Sequence, residues 1–326
     1  MPIDPDTLDP SAVQRIDADA SVLMKRGIGL MGQGGPVAIA EALDCFDRAR
    51  ALRSQLPVET VPLLRYGLAA CWLNRAEALV RLEDPTRIAA ALHAFDQGLL
   101  LLRDLPLGDD PRFPRRLSIA HQNRGLALHA QGPSGAAEAI VAFTEAIAVL
   151  EHESAADVAD RQHMLSAIWL NLAVVTASAA SDESESMARQ AARRAIALVA
   201  DSESDNADAA EVGLRARHVL CQTLAARLSR TIAGGQIPPE DVHDATDAAD
   251  EALDLVRRWE HKDVVRFRGL AYDLFRFGGR VYARYQPQFL EEFIRDNMDP
   301  ERSSSDYVGS AEMRAAALDV AGLTGN

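Results

Sequence analysis

Catalysis needs a convergent set of side chains: a nucleophile with its base, a carboxylate pair, or ligands at metal spacing. The chain offers eight histidines for such work: His93, His121, His129, His152, His163, His218, His243 and His261. None stands in an HxH or HExxH arrangement, and no serine sits in a glycine-flanked elbow. Cys45, Cys71 and Cys221 are dispersed among apolar neighbours, which gives neither a disulfide framework nor a zinc spacing. They are expected as small buried hydrophobes in a reducing compartment. The GQGG at Gly32 to Gly35 has no Lys-Ser or Lys-Thr after it and no strand before it, so it reads as a turn and not as a phosphate loop. Asp4, Asp6 and Asp9 lack the glycine turn and distal glutamate of a calcium loop. The expectation is therefore no catalytic set, no cofactor and no metal.

Two other patterns carry binding chemistry. Asn74, Asn123 and Asn171 recur at nearly equal intervals, and an amide both donates and accepts hydrogen bonds. A row of them could hold the backbone of an extended peptide; the same amides could equally bond within a stack of helices. Arg276, Arg280 and Arg284 are spaced for one helical face, inside a segment from Phe267 to Phe293 that also holds Tyr272, Phe275, Phe277, Tyr282, Tyr285 and Phe289. That segment suits a terminal seal over an apolar face. It also suits a surface for an acidic partner.

The elements that position these residues are helical. The segments WLNRAEAL from Trp72, HQNRGLAL from His121 and WLNLAVVT from Trp169 place a large residue, an amide and a small residue in one frame. A second frame follows each: Ala42, Phe46 and Ala49; Ala91, Phe95 and Gly98; Ala139, Phe143 and Ala146. It continues with Ala188, Ala192 and Ala195, then Ala245, Ala249 and Ala252. Leu64, Leu68, Trp72, Ala76 and Val80 form an every-fourth stripe, answered by Ile88, Leu92, Phe95, Leu99 and Leu102. Pro36, Pro85, Pro133, Pro238 and Pro239 mark helix starts, where a missing N–H costs nothing. Residues 181–186 read as a polar connection with an acidic first turn, and residues 201–208 as a polar, flexible one.

This pattern resembles the tetratricopeptide repeat family, whose unit carries Trp, Asn and Gly on its first helix and Ala, an aromatic and Ala on its second; armadillo and HEAT repeats rank behind it. The repeat here is longer than the usual ~34 residues. The resemblance implies an all-α, right-handed α-solenoid of antiparallel helical hairpins with extra C-terminal capping helices. It implies that first helices line a concave groove, with Lys25, Asn74, Asn123 and Asn171 along it. Arg75 and Arg124 should point elsewhere, so a clamp for a C-terminal carboxylate is not expected.

The 326 residues are 48% hydrophobic but only 5% aromatic, as suits closely packed helices, and the formal charge is −14. That charge argues against nucleic acid and anionic membranes as partners. No run approaches the roughly 20 apolar residues of a membrane span, and the acidic amino terminus is unlike a signal peptide, so the expected location is cytoplasmic. The organisation expected is a flexible acidic arm over residues 1–17, five hairpins over 18–258, aromatic and arginine-rich capping helices over 259–298, and a polar tail with a short helix over 299–326. The leading expectation is a non-catalytic scaffold that binds a protein or peptide segment in its concave groove. A regulatory receptor for a small signalling ligand or peptide is the alternative, and an enzyme or enzyme subunit ranks last.

Overall fold

The computed structural model describes residues 9–152, 158–179, 181–234, 238–259, 264–299, 313, 315–317 and 319. The regular elements of the described residues are all helices, with no strand among them. They fall into two compact units, residues 1–157 and 158–326.

The first unit contains three hairpins: α1 (Pro10–Gln33) with α2 (Pro36–Arg53), α3 (Pro62–Arg81) with α4 (Ile88–Arg103), and α5 (Arg112–His129) with α6 (Ala136–Glu151). Each helix packs on the next in chain order, and α1 and α5 also touch α3. The second unit holds α7 (Val158–Ala177), α8 (Asp182–Val199), α9 (Ala207–Gly234), α10 (Pro239–Trp259), α11 (Val264–Tyr285) and α12 (Leu290–Met298). Here α7 packs on α9 and α9 on α11, while α8 and α10 make no comparable contact. Within each unit the odd-numbered helices thus run closer to one another than the even-numbered ones, which makes theirs the inner layer of that unit. The architecture is an all-α solenoid of stacked hairpins.

Local chemistry sets the helix borders. Gly34 and Gly35 take φ of 71° and 80°, a region that a side chain would strain, and Pro36 then opens α2. Asp84 Oδ1 accepts from the Thr86 N–H at 3.0 Å ahead of α4, and Ser181 Oγ from the Ser184 N–H at 3.2 Å in α8.

The arm is shorter than the sequence suggested. Asp9 Oδ1 accepts from the Ser11 N–H at 3.0 Å and Pro10 takes the first helical position, so α1 begins eight residues before Ala18. Residues 1–8 of the arm lie outside the described residues.

The repeated aromatics lock the hairpins. Phe46, Phe95 and Phe143 are all buried, on α2, α4 and α6. A Cβ added at Gly27 would lie 2.5 Å from Phe46 Cε1, and one at Gly125 would lie 2.7 Å from Phe143 Cε1, so glycine is what admits each ring. In the second hairpin Ala76 holds the corresponding place in the frame, buried in the same core cluster as Phe95. Where Ala192 and Ala249 replace phenylalanine, both alanines are buried as well, and the helices close on small residues. Gly278 of α11 repeats the glycine device against Phe293 of α12, at 2.7 Å from Cζ.

One stretch, Gly132–Glu151, is long and apolar enough by length and composition to cross a membrane, although the sequence was read as having none. It includes α6, and its apolar side carries Ala139, Ala142, Phe143, Ala146, Ile147 and Leu150, all buried.

Candidate functional site

The inner layer of the first unit carries two of the three asparagines. Asn74 gives Nδ2 to the Ala70 carbonyl of its own helix at 2.8 Å. Asn123 gives Nδ2 to Glu77 Oε1 at 2.7 Å, joining α5 to α3. Burial pushes the Glu77 carboxyl up, against the opposing pull of Arg116, Arg81 and Asn123. Lys25 is exposed on α1, and Asn171 is half-buried on α7 of the second unit. The structure therefore places Asn74 and Asn123 on neighbouring inner helices, each with an N–H already engaged within the stack.

The arginines that follow those asparagines have a separate task. Arg75 Nε lies 2.8 Å from Asp47 Oδ1, and Arg124 Nε lies 2.8 Å from Asp96 Oδ1. Each Asp directly follows a core phenylalanine on the preceding hairpin, so one charge pair occurs twice in the same register. The next positions in the frame, Thr144 and Leu172, are uncharged. His121, in the slot of the tryptophans, is buried with Nδ1 2.9 Å from Glu145 Oε2, and burial lowers its pKa despite that carboxylate. All three cysteines are free and buried. Among the described residues no group of three or more His, Cys, Asp or Glu comes together as metal ligands would.

The arginine face fares differently. A groove of about 1040 Å³ runs between α9 and α11, in the inner layer of the second unit. His218, Gln222, Ala225 and Ser229 line it from α9, facing Asp273, Arg276, Arg280 and Arg284 from α11. Its floor is apolar: Cys221, Leu228 and Val281 are all buried. Burial of Cys221 pushes its thiol pKa far up, so it sits there as an inert hydrophobe. Arg276 lies over the Tyr272 ring, 5.6 Å from its centroid, which holds the guanidinium on the rim. Its Nη2 donates to Asp319 Oδ2 at 2.9 Å, while its Nε is buried with no acceptor among the described residues. Arg280 Nη2 lies 3.7 Å from the same Asp319 oxygen, and Arg284 is exposed one turn on.

The rings around these arginines are packed against α10 and α12. Phe275 stacks on Phe293 at 5.4 Å, Tyr282 lies 4.8 Å from Phe293, and the Tyr282 hydroxyl donates to Asp250 Oδ2 at 2.6 Å. They tie α11, which forms one wall of the groove, to α10 and α12.

The connection over residues 201–208 is tied down, where a flexible one was expected. Glu203 is buried and accepts from Arg217 Nη1 at 2.9 Å and Nη2 at 3.1 Å, and its carbonyl accepts from Trp259 Nε1 at 2.7 Å. The run of acidic and serine residues concealed this, because the partners lie on α9 and α10.

The fold and the groove define a helical-repeat protein with a basic-rimmed cleft in its inner layer. No protein-family model matches the chain. No curated protein matches it in sequence. Among solved structures it is similar to the S. pombe nuclear import adaptor Nro1, with 12% identity and a TM-score of 0.50, covering 96% of this chain and 99% of that one. A second structure, described as the hypoxic regulator of sterol synthesis Nro1, a nuclear import adaptor, matches with 13% identity and a TM-score of 0.50 over 95% of this chain and 98% of that one. At such identity the likeness is one of fold.

Proposed function

We propose that this protein is a non-catalytic interaction scaffold, tetratricopeptide-like in build, whose partner-binding site is the groove between α9 and α11. The observation that carries this reading is the arginine row over an apolar floor: Arg276, Arg280 and Arg284 above Leu228 and Val281. An apolar floor supplies the favourable burial, and a row of guanidinium groups selects carboxylates. The adaptor role in the name of the structural neighbours is in keeping with an interaction function. Asn123 is assigned to holding α5 on α3, and Asn74 spends an N–H on its own helix, so neither is assigned to the groove. We place the protein in the cytoplasm or the nucleus.

Site-directed photocrosslinking tests the proposal against a small-ligand receptor. With a photoreactive residue in place of Gln222, on the lip of the groove, a discrete protein adduct is expected in cells of the source organism. It should disappear when Arg276, Arg280 and Arg284 are changed to Glu. An adduct indifferent to that charge reversal, or none larger than a metabolite, would remove the groove as a protein-binding site.

A further inference from the structure

The first unit builds one junction twice with different side chains. Trp72 of α3 lies between α2 and α4, with the Arg50 guanidinium 4.6 Å from its ring centroid and the His93 ring edge-on to it at 6.1 Å. The intervals between Phe46, Phe95 and Phe143 place His121 of α5 in the slot of Trp72, Leu99 of α4 in that of Arg50, and Val141 of α6 in that of His93. A large ring under polar lips is thus exchanged for a small ring under apolar ones. An imidazole fills less of the slot than an indole, and a groove of about 520 Å³ lies at this second junction, lined by His121, Leu99, Leu100 and Val141 among others.

The lining specifies what can enter. Leu100 and Val141 are 55% and 56% exposed, which leaves uncovered apolar surface on both edges of the groove. His121 is 7% exposed, and its Nδ1 stands 2.9 Å from Glu145 Oε2 with no hydrogen bond completed among the described residues. Burial keeps the imidazole neutral, so an aromatic ring can stack on it. The first junction already pairs imidazole with indole, through His93 and Trp72. Arg103, exposed at the end of α4, can lie over such a ring as Arg50 lies over Trp72. Asp96 and Glu138 are engaged by Arg124, so the half-exposed Glu145 is the carboxylate that an entering N–H meets. An apolar aromatic body with one N–H donor is an indole. A small-molecule site encloses most of its ligand, whereas this groove is open between Leu100 and Val141 and suits a side chain carried on another chain.

We infer that the groove between α4 and α6 docks a tryptophan side chain of a partner protein, which restores the indole that the repeat carries at Trp72 and lacks at His121. This contact is separate from the arginine-rimmed groove and lies in the outer layer of the first unit.

The test uses the full-length chain labelled at its leucine and valine methyl groups, titrated with N-acetyl-tryptophanamide and followed by methyl NMR. Saturable shifts are expected at Leu99, Leu100 and Val141. Methylation of the indole nitrogen of the probe should weaken binding about fivefold, as the loss of one net hydrogen bond. His121→Trp supplies the indole from within and should abolish binding on a chain that still melts normally. Leu100→Lys, on the exposed edge, should weaken binding and serves if His121→Trp fails to fold. No shift at these methyls would overturn the proposal, as would shifts that persist unchanged in a folded His121→Trp or in Leu100→Lys. Shifts with free indole and none with the amide would also overturn it, because the groove would then take a small ligand and not a side chain on a protein.

Discussion

Gly27 and Gly125 leave room for one phenylalanine ring each, and the clearance is too small for a methyl group on either helix. Gly125→Ala is expected to force Phe143 out of its place, costing about 1–3 kcal/mol as an overpacking change. Equilibrium denaturation checks this, and paired substitution of Phe143 by Leu should recover part of the loss. A neutral Gly125→Ala would mean that the ring has space the geometry does not show. This contact was legible in the sequence as a small residue and an aromatic at a fixed offset, because such a pair is encoded by repetition. The partners of the polar residues were not legible. Asn123 bonds to Glu77, and Glu203 to Arg217, across helices whose approach is set by tertiary packing. Spacing along one helix does not reveal a bond to another.

Between elements, the charge pair repeated from hairpin to hairpin is the most regular polar feature. Arg75 with Asp47 and Arg124 with Asp96 link α3 to α2 and α5 to α4 in one register. Both are partly exposed, so each is worth little on its own, about 0.2–1 kcal/mol. Double-mutant cycles with Arg75→Ala and Asp47→Ala, and with Arg124→Ala and Asp96→Ala, should return coupling energies of similar size that shrink with added salt. Coupling in one pair and none in the other would contradict the equivalence of the two junctions. Helix borders were readable from proline and glycine, which act locally. The early start of α1 was missed because Asp9 was counted with the flexible acidic arm, although its side chain caps the helix. The arginine row on α11 was visible by its spacing. The groove it rims required knowing that α9 lies opposite, and no periodicity supplies that.

At the scale of the molecule, a formal charge of −14 surrounds a groove whose rim carries three arginines. An acidic chain that concentrates guanidinium groups over an apolar floor discriminates among acidic partners: general attraction is absent, and only a ligand that reaches the groove gains from it. The composition also explains why the function was harder to read than the fold. Helical stacking is written in every repeat, whereas the groove belongs to two helices that meet only in the folded chain. The measurement that bears most directly on the account is calorimetric titration of the full-length protein with a synthetic helical peptide carrying glutamates at i, i+4 and i+8 beside a leucine stripe, at low and at high salt. The account predicts saturable one-to-one binding that weakens about tenfold as a few partly exposed ion pairs are screened, and that is lost with Arg276→Glu, Arg280→Glu and Arg284→Glu on a chain that still melts normally. Binding of undiminished strength to that charge-reversed protein would contradict it.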